Sequence, residues 1–197
     1  DCTAVGHTAL TLNTGSNNTA VGSAALDSNT SGANNTAVGS NALAAVVTGS
    51  DCVAVGRNAL LVYTGSFATA VGTEALDACT SGFRNTAVGY QALSSITTSS
   101  DCTAVGSSAL ATNTATQNTA MGSGAMFANT TGQGNASLGY NALQTNTTGN
   151  SNVAVGAFAM TNSNGDNNVA VGSNAMNGSP GNNNVAIGRN SLPITTA

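Results

Sequence analysis

The sequence predicts an all-β fold, a parallel β-solenoid or β-roll, and three observations support this prediction. The phrase Thr-Ala-Val-Gly-x-x-Ala-Leu begins at Thr3 and occurs in twelve copies, allowing for related residues. The glycines of consecutive phrases lie 16 or 17 residues apart, which is too short for a helix-turn-helix repeat of about 34 residues. Asn, Thr, Ser and Gly dominate the segments between phrases, and together with Val they disfavour helix.

The phrase glycines define about twelve coils. They are Gly6, Gly22, Gly39, Gly56, Gly72, Gly89, Gly106, Gly122, Gly139, Gly156, Gly172 and Gly188. A second period of 50 residues, or three coils, lies over the first and is marked by the pairs beginning at Asp1, Asp51 and Asp101. We therefore expect one repeat domain, 1–197, made of the blocks 1–50, 51–100, 101–150 and 151–197.

Each coil has room for two short strands and two turns. The first strand covers Asn-Thr-Ala-Val and ends at the phrase glycine, and the second covers Ala-Leu and its neighbours. An Asn/Thr/Gly turn such as Asn29–Gly32 then returns the chain. Coils stacked at about 4.8 Å would give a rod of roughly 50 Å.

The alternation within the first strand leaves two orientations open. In Val153-Ala154-Val155 the two valines share one face and the alanine points to the other. We favour valine facing the core, because the Val and Leu columns otherwise have no place to be buried. In the opposite orientation alanine faces the core and a flat Thr/Val array faces outward.

The composition argues against several classes of function. Charged residues make up 5 % of the chain, the net charge is −4, and the basic residues apart from His7 are three arginines. Nucleic-acid binding depends on Lys and Arg, so we expect no nucleic-acid partner. No apolar run approaches the roughly 20 residues that a membrane-spanning helix needs. Since the sequence starts inside a repeat at Asp1, we expect a processed chain or a piece of a longer fibre.

Two variants of the phrase carry a resemblance to known repeats. Val185–Gly188, followed by Arg-Asn-Ser-Leu, resembles the head repeats of trimeric autotransporter adhesins. The fuller form, Asn85–Leu93, is similar to repeats of bacterial surface and phage tail-fibre proteins. This resemblance implies left-handed parallel β-rolls with three chains side by side. The adhesin repeat is shorter, and the additional residues here fall in the Asn/Thr/Gly turn.

We find no residues arranged for catalysis, for a metal or for a cofactor. His7 is the only histidine and occupies a variable column, one residue after the phrase glycine. Asp27 and Asp77 lie at equivalent positions three coils apart, about 14 Å by the coil spacing, too far for a carboxylate pair. A calcium-binding solenoid needs a regular Asp in each coil. We therefore expect a protein that is not an enzyme.

The cysteines permit two interpretations. Cys2, Cys52 and Cys102 recur every three coils, and Cys79 occupies a different position in its coil. Residues three coils apart are too distant to form a disulfide with one another. In the first interpretation they are small buried apolar residues in place of Asn. In the second, which we favour slightly, they pair with another chain or across the roll in an oxidising compartment.

The sequence also offers candidate glycosylation sites and candidate amide ladders. Sequons occur at Asn17, Asn29, Asn34, Asn129, Asn135, Asn146 and Asn177. Amides stand two places after the phrase glycine at Asn41, Asn58, Gln91, Asn141, Asn174 and Asn190. These are either a stacked amide ladder or exposed turn residues.

Two hypotheses of function follow. The first is a structural and adhesive segment of an extracellular fibre or filament, located outside the cell, on its surface or in a virion fibre. It assembles with itself as a homotrimer or filament and contacts a host surface or glycan receptor. The alternative is an ice-binding β-solenoid, for which the threonine column must face water. That column contains Thr3, Thr19, Thr36, Thr69, Thr86, Thr103 and Thr119.

Overall fold

The chain forms a parallel β-solenoid, which confirms the predicted fold class. The computed structural model describes residues 1–178 and 181–192. Twelve three-residue strands form one sheet, in which each strand pairs in parallel with the strands of the coils before and after it. The strands are β1 (Thr3–Val5), β2 (Thr19–Val21), β3 (Thr36–Val38), β4 (Val53–Val55), β5 (Thr69–Val71), β6 (Thr86–Val88), β7 (Thr103–Val105), β8 (Thr119–Met121), β9 (Ala136–Leu138), β10 (Val153–Val155), β11 (Val169–Val171) and β12 (Val185–Ile187). About eleven turns of solenoid connect them.

The strands stack in register, like residue on like residue. Thr19 pairs with Thr36, Ala20 with Ala37 and Val21 with Val38. β-branched residues suit a pleated surface, so the Thr and Val columns favour strand at this position. The 16- and 17-residue spacings produce the same register, because the difference is absorbed in the turns.

Each strand ends at its phrase glycine. Gly39 has φ of 136°, a region that residues with a side chain rarely adopt. A Cβ on Gly39 would also lie 2.5 Å from the carbonyl oxygen of Gly56 in the next coil. Both constraints recur along most of the stack, which explains why this column is invariant.

The second predicted strand is not a strand. The segment after the phrase glycine is a turn in which Ala42 N–H donates to the Gly39 carbonyl (3.3 Å). Leu43 then takes a left-handed conformation with φ of 50°, and its N–H donates to Ala59 of the next coil. This conformation directs the leucine side chain inward while its backbone remains bonded along the stack.

The orientation that we favoured for the strand is wrong: alanine faces the core and the Thr and Val columns face outward. The middle residue of β2–β12 is buried, whereas the Val of β2 and β3 is 36 % exposed. The roll is thin, and its interior is already occupied by two alanine columns and one Leu/Met column, including the fully buried Ala37, Ala42 and Leu43. The strand's own inward column is therefore limited to small side chains, alanine in most coils and serine at Ser137. Leucine is buried from the turn, so its burial does not require valine inside.

Asparagine completes the core. The column four residues before the phrase glycine contains Asn35, whose side-chain oxygen accepts from the N–H of Cys52 and whose amide donates to the Gly49 carbonyl (3.0 and 2.8 Å). Asn18, Asn85, Asn118, Asn135 and Asn152 form the equivalent pair of bonds to the backbone of the next coil. A second column forms amide-to-amide bonds, for example from Asn129 to Asn113 (2.7 Å) and from Asn146 to Asn129 (2.9 Å). These ladders satisfy backbone groups that the thin core would otherwise leave unpaired.

Candidate interaction face

The outward side of the sheet is a flat and uncharged surface, which we name the Thr/Val face. It consists of the first and third residues of β1–β12 and contains no charged residue. Neighbouring strands lie about 4.8 Å apart and the two columns about 7 Å apart, by strand geometry. The face therefore presents a regular two-column array along the solenoid.

Much of the Thr/Val face is apolar and open to solvent. In its third-residue column Val5 is 58 % exposed, Leu138 50 % and Ile187 71 %. In its first-residue column Val153 and Val185 are also exposed. Contiguous exposed apolar surface of this kind commonly marks an interaction site in a soluble protein.

All seven threonines of the predicted column lie on this face. Thr3 and Thr119 are exposed, and Thr19, Thr36, Thr69, Thr86 and Thr103 are half-buried. Valine or alanine takes this place in β4 and β9–β12. The array is thus threonine-rich in its first two thirds and apolar in its last third.

Two rims border the face. The N-side rim is the column two residues before each strand, and it includes Asp51, Arg84 and Asp101. The C-side rim comprises the first and second residues after each phrase glycine, and it includes Arg57 and Glu74. Seven of the chain's ten Asp, Glu and Arg residues lie on these rims, namely the five just named together with Asp1 and Arg189. Charge is therefore concentrated beside the face and absent from it.

Ion pairs join neighbouring coils along each rim. Arg57 donates to Glu74 at 2.6 Å, and Arg84 donates to Asp101 at 2.7 Å. A hydrogen bond from Gln91 and one from Arg57 hold the pKa of Glu74 below its usual value. The hydrogen bond from Arg84 likewise lowers the pKa of Asp101. These carboxylates therefore stay charged at neutral pH.

An aromatic pair lies on the C-side rim farther along the stack. The rings of Tyr140 and Phe158 meet edge to face with their centroids 5.2 Å apart. Tyr140 is 53 % exposed, and it follows the exposed Leu138 of the face by two residues. The apolar surface therefore extends from the face onto the rim at this point.

The four cysteines are free thiols. Cys52, Cys79 and Cys102 are buried, as the first of our two interpretations states, and Cys2 is exposed. Cys52 and Cys102 occupy the asparagine column of their coils. Burial raises the pKa of both thiols, and it raises the pKa of Cys79 to about 11. Cys2 is therefore the one cysteine of the four that can form a disulfide with another chain while every coil stays intact.

The sequons fall into two groups. The side chains of Asn29, Asn129, Asn135 and Asn146 are buried and hydrogen-bonded inside the roll, where a glycan has no room. Asn17 and Asn34 are exposed candidates. Asn177 is half-buried, but the serine of its sequon, Ser179, lies outside the described residues.

The amides two places after the phrase glycine form only a partial ladder. Asn41 donates to Asn58 (3.1 Å) and Gln91 donates to Glu74 (3.0 Å). The extensive ladders occupy the two buried columns instead. Sequence reasoning placed the first of these columns at the start of the first strand and the second in the Asn/Thr/Gly turn. The recurrence of Asn four residues before the phrase glycine was the signal that could have identified them.

Residues 1–178 and 181–192 contain neither a cluster of metal-ligating side chains nor a membrane-spanning helix. There, no group of three or more His, Cys, Asp or Glu side chains is arranged to hold a metal ion. Over the same part of the chain, no helix is long and apolar enough to cross a membrane. His7 is exposed on the C-side rim.

No family model, no curated protein and no solved structure matches this chain. The structure itself shows a parallel β-solenoid with a period of about 17 residues.

Proposed function

We propose that the chain is a structural and adhesive segment of an extracellular fibre, and that copies associate side by side through the Thr/Val face. The observation that carries this proposal is the uncharged, flat Thr/Val face. The exposed valine, methionine, leucine and isoleucine side chains on it have exposed fractions of 36–71 %. Burying such a surface against an identical one removes apolar area from water. The uniform coils supply a stiff scaffold and the turns supply a polar exterior.

Because alanine faces the core, the Thr/Val face is the flat side of the sheet that is available for lateral assembly. The resemblance to trimeric autotransporter heads supports a homotrimer, and a filament remains the alternative within this proposal. We place the fibre outside the cell, on its surface or in a virion fibre, because the exterior is rich in Asn, Thr, Ser and Gly and poor in charge. A host-surface or glycan receptor would meet the turns.

Disruption of the face should abolish assembly. Val88 lies near the middle of the face in β6, and Val88→Lys would bury an unpaired ammonium in the contact. We expect association to weaken by about 2 kcal/mol or more, roughly 30-fold. Sedimentation analysis over a range of concentrations measures this change.

The matched control is Val47→Lys, because Val47 is 42 % exposed and lies in the Asn/Thr turn away from the face. It should leave assembly unchanged. The proposal is wrong if the unaltered chain remains monomeric at high concentration, or if both variants assemble like it.

The second candidate function is ice binding, and the outward threonine column is the specific observation in its favour. Together with the neighbouring Val column it forms a regular outward array of about 4.8 by 7 Å. Ice binding needs a face open to water, whereas assembly covers it. A monomeric chain that shows thermal hysteresis, lost in Val88→Lys and retained in Val47→Lys, would favour ice binding over the fibre.

A further inference from the structure

We propose that copies associate parallel and in register, and that the charged rims of coils 4 to 7 select this arrangement. The inference rests on the proposed function, since it concerns how two Thr/Val faces meet. The occupant of the face is a second copy of this chain. The area of the face and the charge complementarity of its rims favour this occupant.

The face alone is small for a stable contact. Eleven intervals of about 4.8 Å and a strand width of about 10 Å give roughly 500 Å² per chain. A standard interface buries about 800 Å² per partner. The rims must therefore take part, and their charges meet the rims of the neighbouring chain.

Geometry determines which rims meet. When neighbouring chains have parallel long axes, whether two faces pack flat or three faces surround a three-fold axis, the N-side rim of one chain lies along the C-side rim of its neighbour. When the axes are antiparallel, N-side meets N-side and C-side meets C-side. The distribution of charge distinguishes the two cases.

Parallel association in register opposes unlike charges at coils 4 to 6. Asp51 on the N-side rim of coil 4 meets Arg57 on the C-side rim of coil 4 of the neighbour. Glu74 of coil 5 lies one coil, about 4.8 Å, from Arg84 of coil 6. Within its own chain the Asp51 carboxylate accepts a hydrogen bond from the neutral amide of Asn34 (3.1 Å). Pairing with Arg57 of the neighbouring chain would give this carboxylate a cationic partner.

A shift of one coil changes this complementarity. If the N-side rim of coil 4 met the C-side rim of coil 5, Asp51 would face Glu74, a like charge. Because each face has both rims, the same shifted pair also brings Arg84 of one chain opposite Glu74 of the other, whichever chain is displaced. It separates Asp51 from Arg57, however, and adds the like-charge contact. The register without a shift provides both unlike contacts.

Antiparallel association gains less from the rims. With full overlap, Arg84 of coil 6 would face Asp101 of coil 7, two residues that already pair within each chain at 2.7 Å. Arg57 likewise already pairs with Glu74 within each chain at 2.6 Å, so the contact that distinguishes the two arrangements is that of Asp51. Asp51 would then face Gly134. Electrostatic complementarity at an interface sets orientation and register more than total affinity, so the parallel arrangement is favoured.

Spin labels at two equivalent turn positions test the orientation. Ser31 and Ser81 are both exposed and stand 50 residues apart at the same place in their coils. Each is replaced singly by Cys in a chain with Cys2→Ser, since the other cysteines are buried, and is labelled with a nitroxide. Electron-electron distance spectroscopy then measures the separation of identical labels in the assembled species.

Parallel in-register chains should give the same distance for both labels. Antiparallel chains would offset the Ser31 labels by about nine coils, roughly 43 Å, and the Ser81 labels by about three coils, roughly 14 Å. A longer distance at Ser31 than at Ser81 in a species that does assemble overturns this inference and leaves the proposed function standing. Failure of the unaltered chain to assemble overturns both.

Charge reversal tests the role of the rims. Arg57→Glu should weaken association at low salt roughly fivefold or more, and Asp51→Arg added to it should restore much of the loss. Asp27→Arg, which changes a charge away from both rims, is the matched control. If Arg57→Glu behaves like Asp27→Arg, or if the double variant is no better than Arg57→Glu, the rims do not select the arrangement.

Discussion

Side-chain volume decides what each residue of a coil can do. Alanine lies inside because the interior of the roll is only about as wide as one leucine side chain. Glycine occupies the turn after each strand because a Cβ there would collide with the carbonyl group of the next coil. Leu43 accepts a left-handed backbone, which costs about 1–2 kcal/mol. In exchange it buries its whole side chain and retains its axial hydrogen bond.

Burial also decides thiol chemistry. The thiolate is the reactive form of cysteine, and a pKa of about 11 leaves only about 0.1 % of Cys79 as thiolate at pH 8. Cys52 and Cys102 have raised pKa values and are buried too. We expect about one prompt thiol per folded chain in titration with an aromatic disulfide, from Cys2, and about four after denaturation. Prompt reaction of all four in the folded chain would contradict the buried placement.

Sequence reasoning was sound for the residues whose role is local. The phrase glycine was predicted correctly as the residue at which the first strand ends. The ladders of buried asparagines were missed, because Asn in the turns is ordinary and the Asn at the start of each predicted strand had no visible partner in the sequence. Their role emerges only when the coils are in register and Asn35 lies one coil below the N–H of Cys52.

At the scale of the strand, a three-residue alternation leaves the direction of burial undetermined. Thr-Ala-Val is equally compatible with either face inward, and the choice depends on the thickness of the roll. That thickness is determined by the left-handed turn after the phrase glycine, which we had interpreted as a second strand. One incorrect local prediction therefore produced the incorrect orientation.

A pair of substitutions in β6 and β5 checks the orientation. Ala87 is fully buried, so Ala87→Val should overpack the core and lower the free energy of unfolding by about 1–3 kcal/mol. Val71 on the outer column is half-buried, and Val71→Ala should change stability by about 0.5 kcal/mol. Urea denaturation at a fixed protein concentration measures both values. The reverse order of costs would favour valine inside.

At the scale of the whole molecule, each strand contacts only its neighbours in the stack. Stability in such a repeat protein is approximately a sum of coil and interface contributions. The 50-residue blocks predicted from the sequence should thus be separable units. The alanine and Leu/Met columns consist of contacts between neighbouring coils, and the first asparagine ladder is interrupted at Cys52, Ala68 and Cys102.

Deletion of residues 51–100 tests this modularity. The deletion joins Ser50 to Asp101, which occupies the same position in its coil as Asp51, so the sequence Ser-Asp-Cys is kept at the junction. We expect a folded solenoid with a similar circular dichroism spectrum per residue, shortened by three coils or about 14 Å. X-ray scattering in solution gives the length. An unfolded or aggregated product would show that the blocks depend on one another.

The left-handed turns and axial hydrogen bonds also determine how the molecule bears force. A pull along the solenoid loads the bonds of one coil at a time, as in opening a zipper. Each coil that opens releases 16 or 17 residues, roughly 55 Å of extended chain. The molecule would then lengthen in small steps under load, and a fibre of parallel copies would share that load across several coils at the same height.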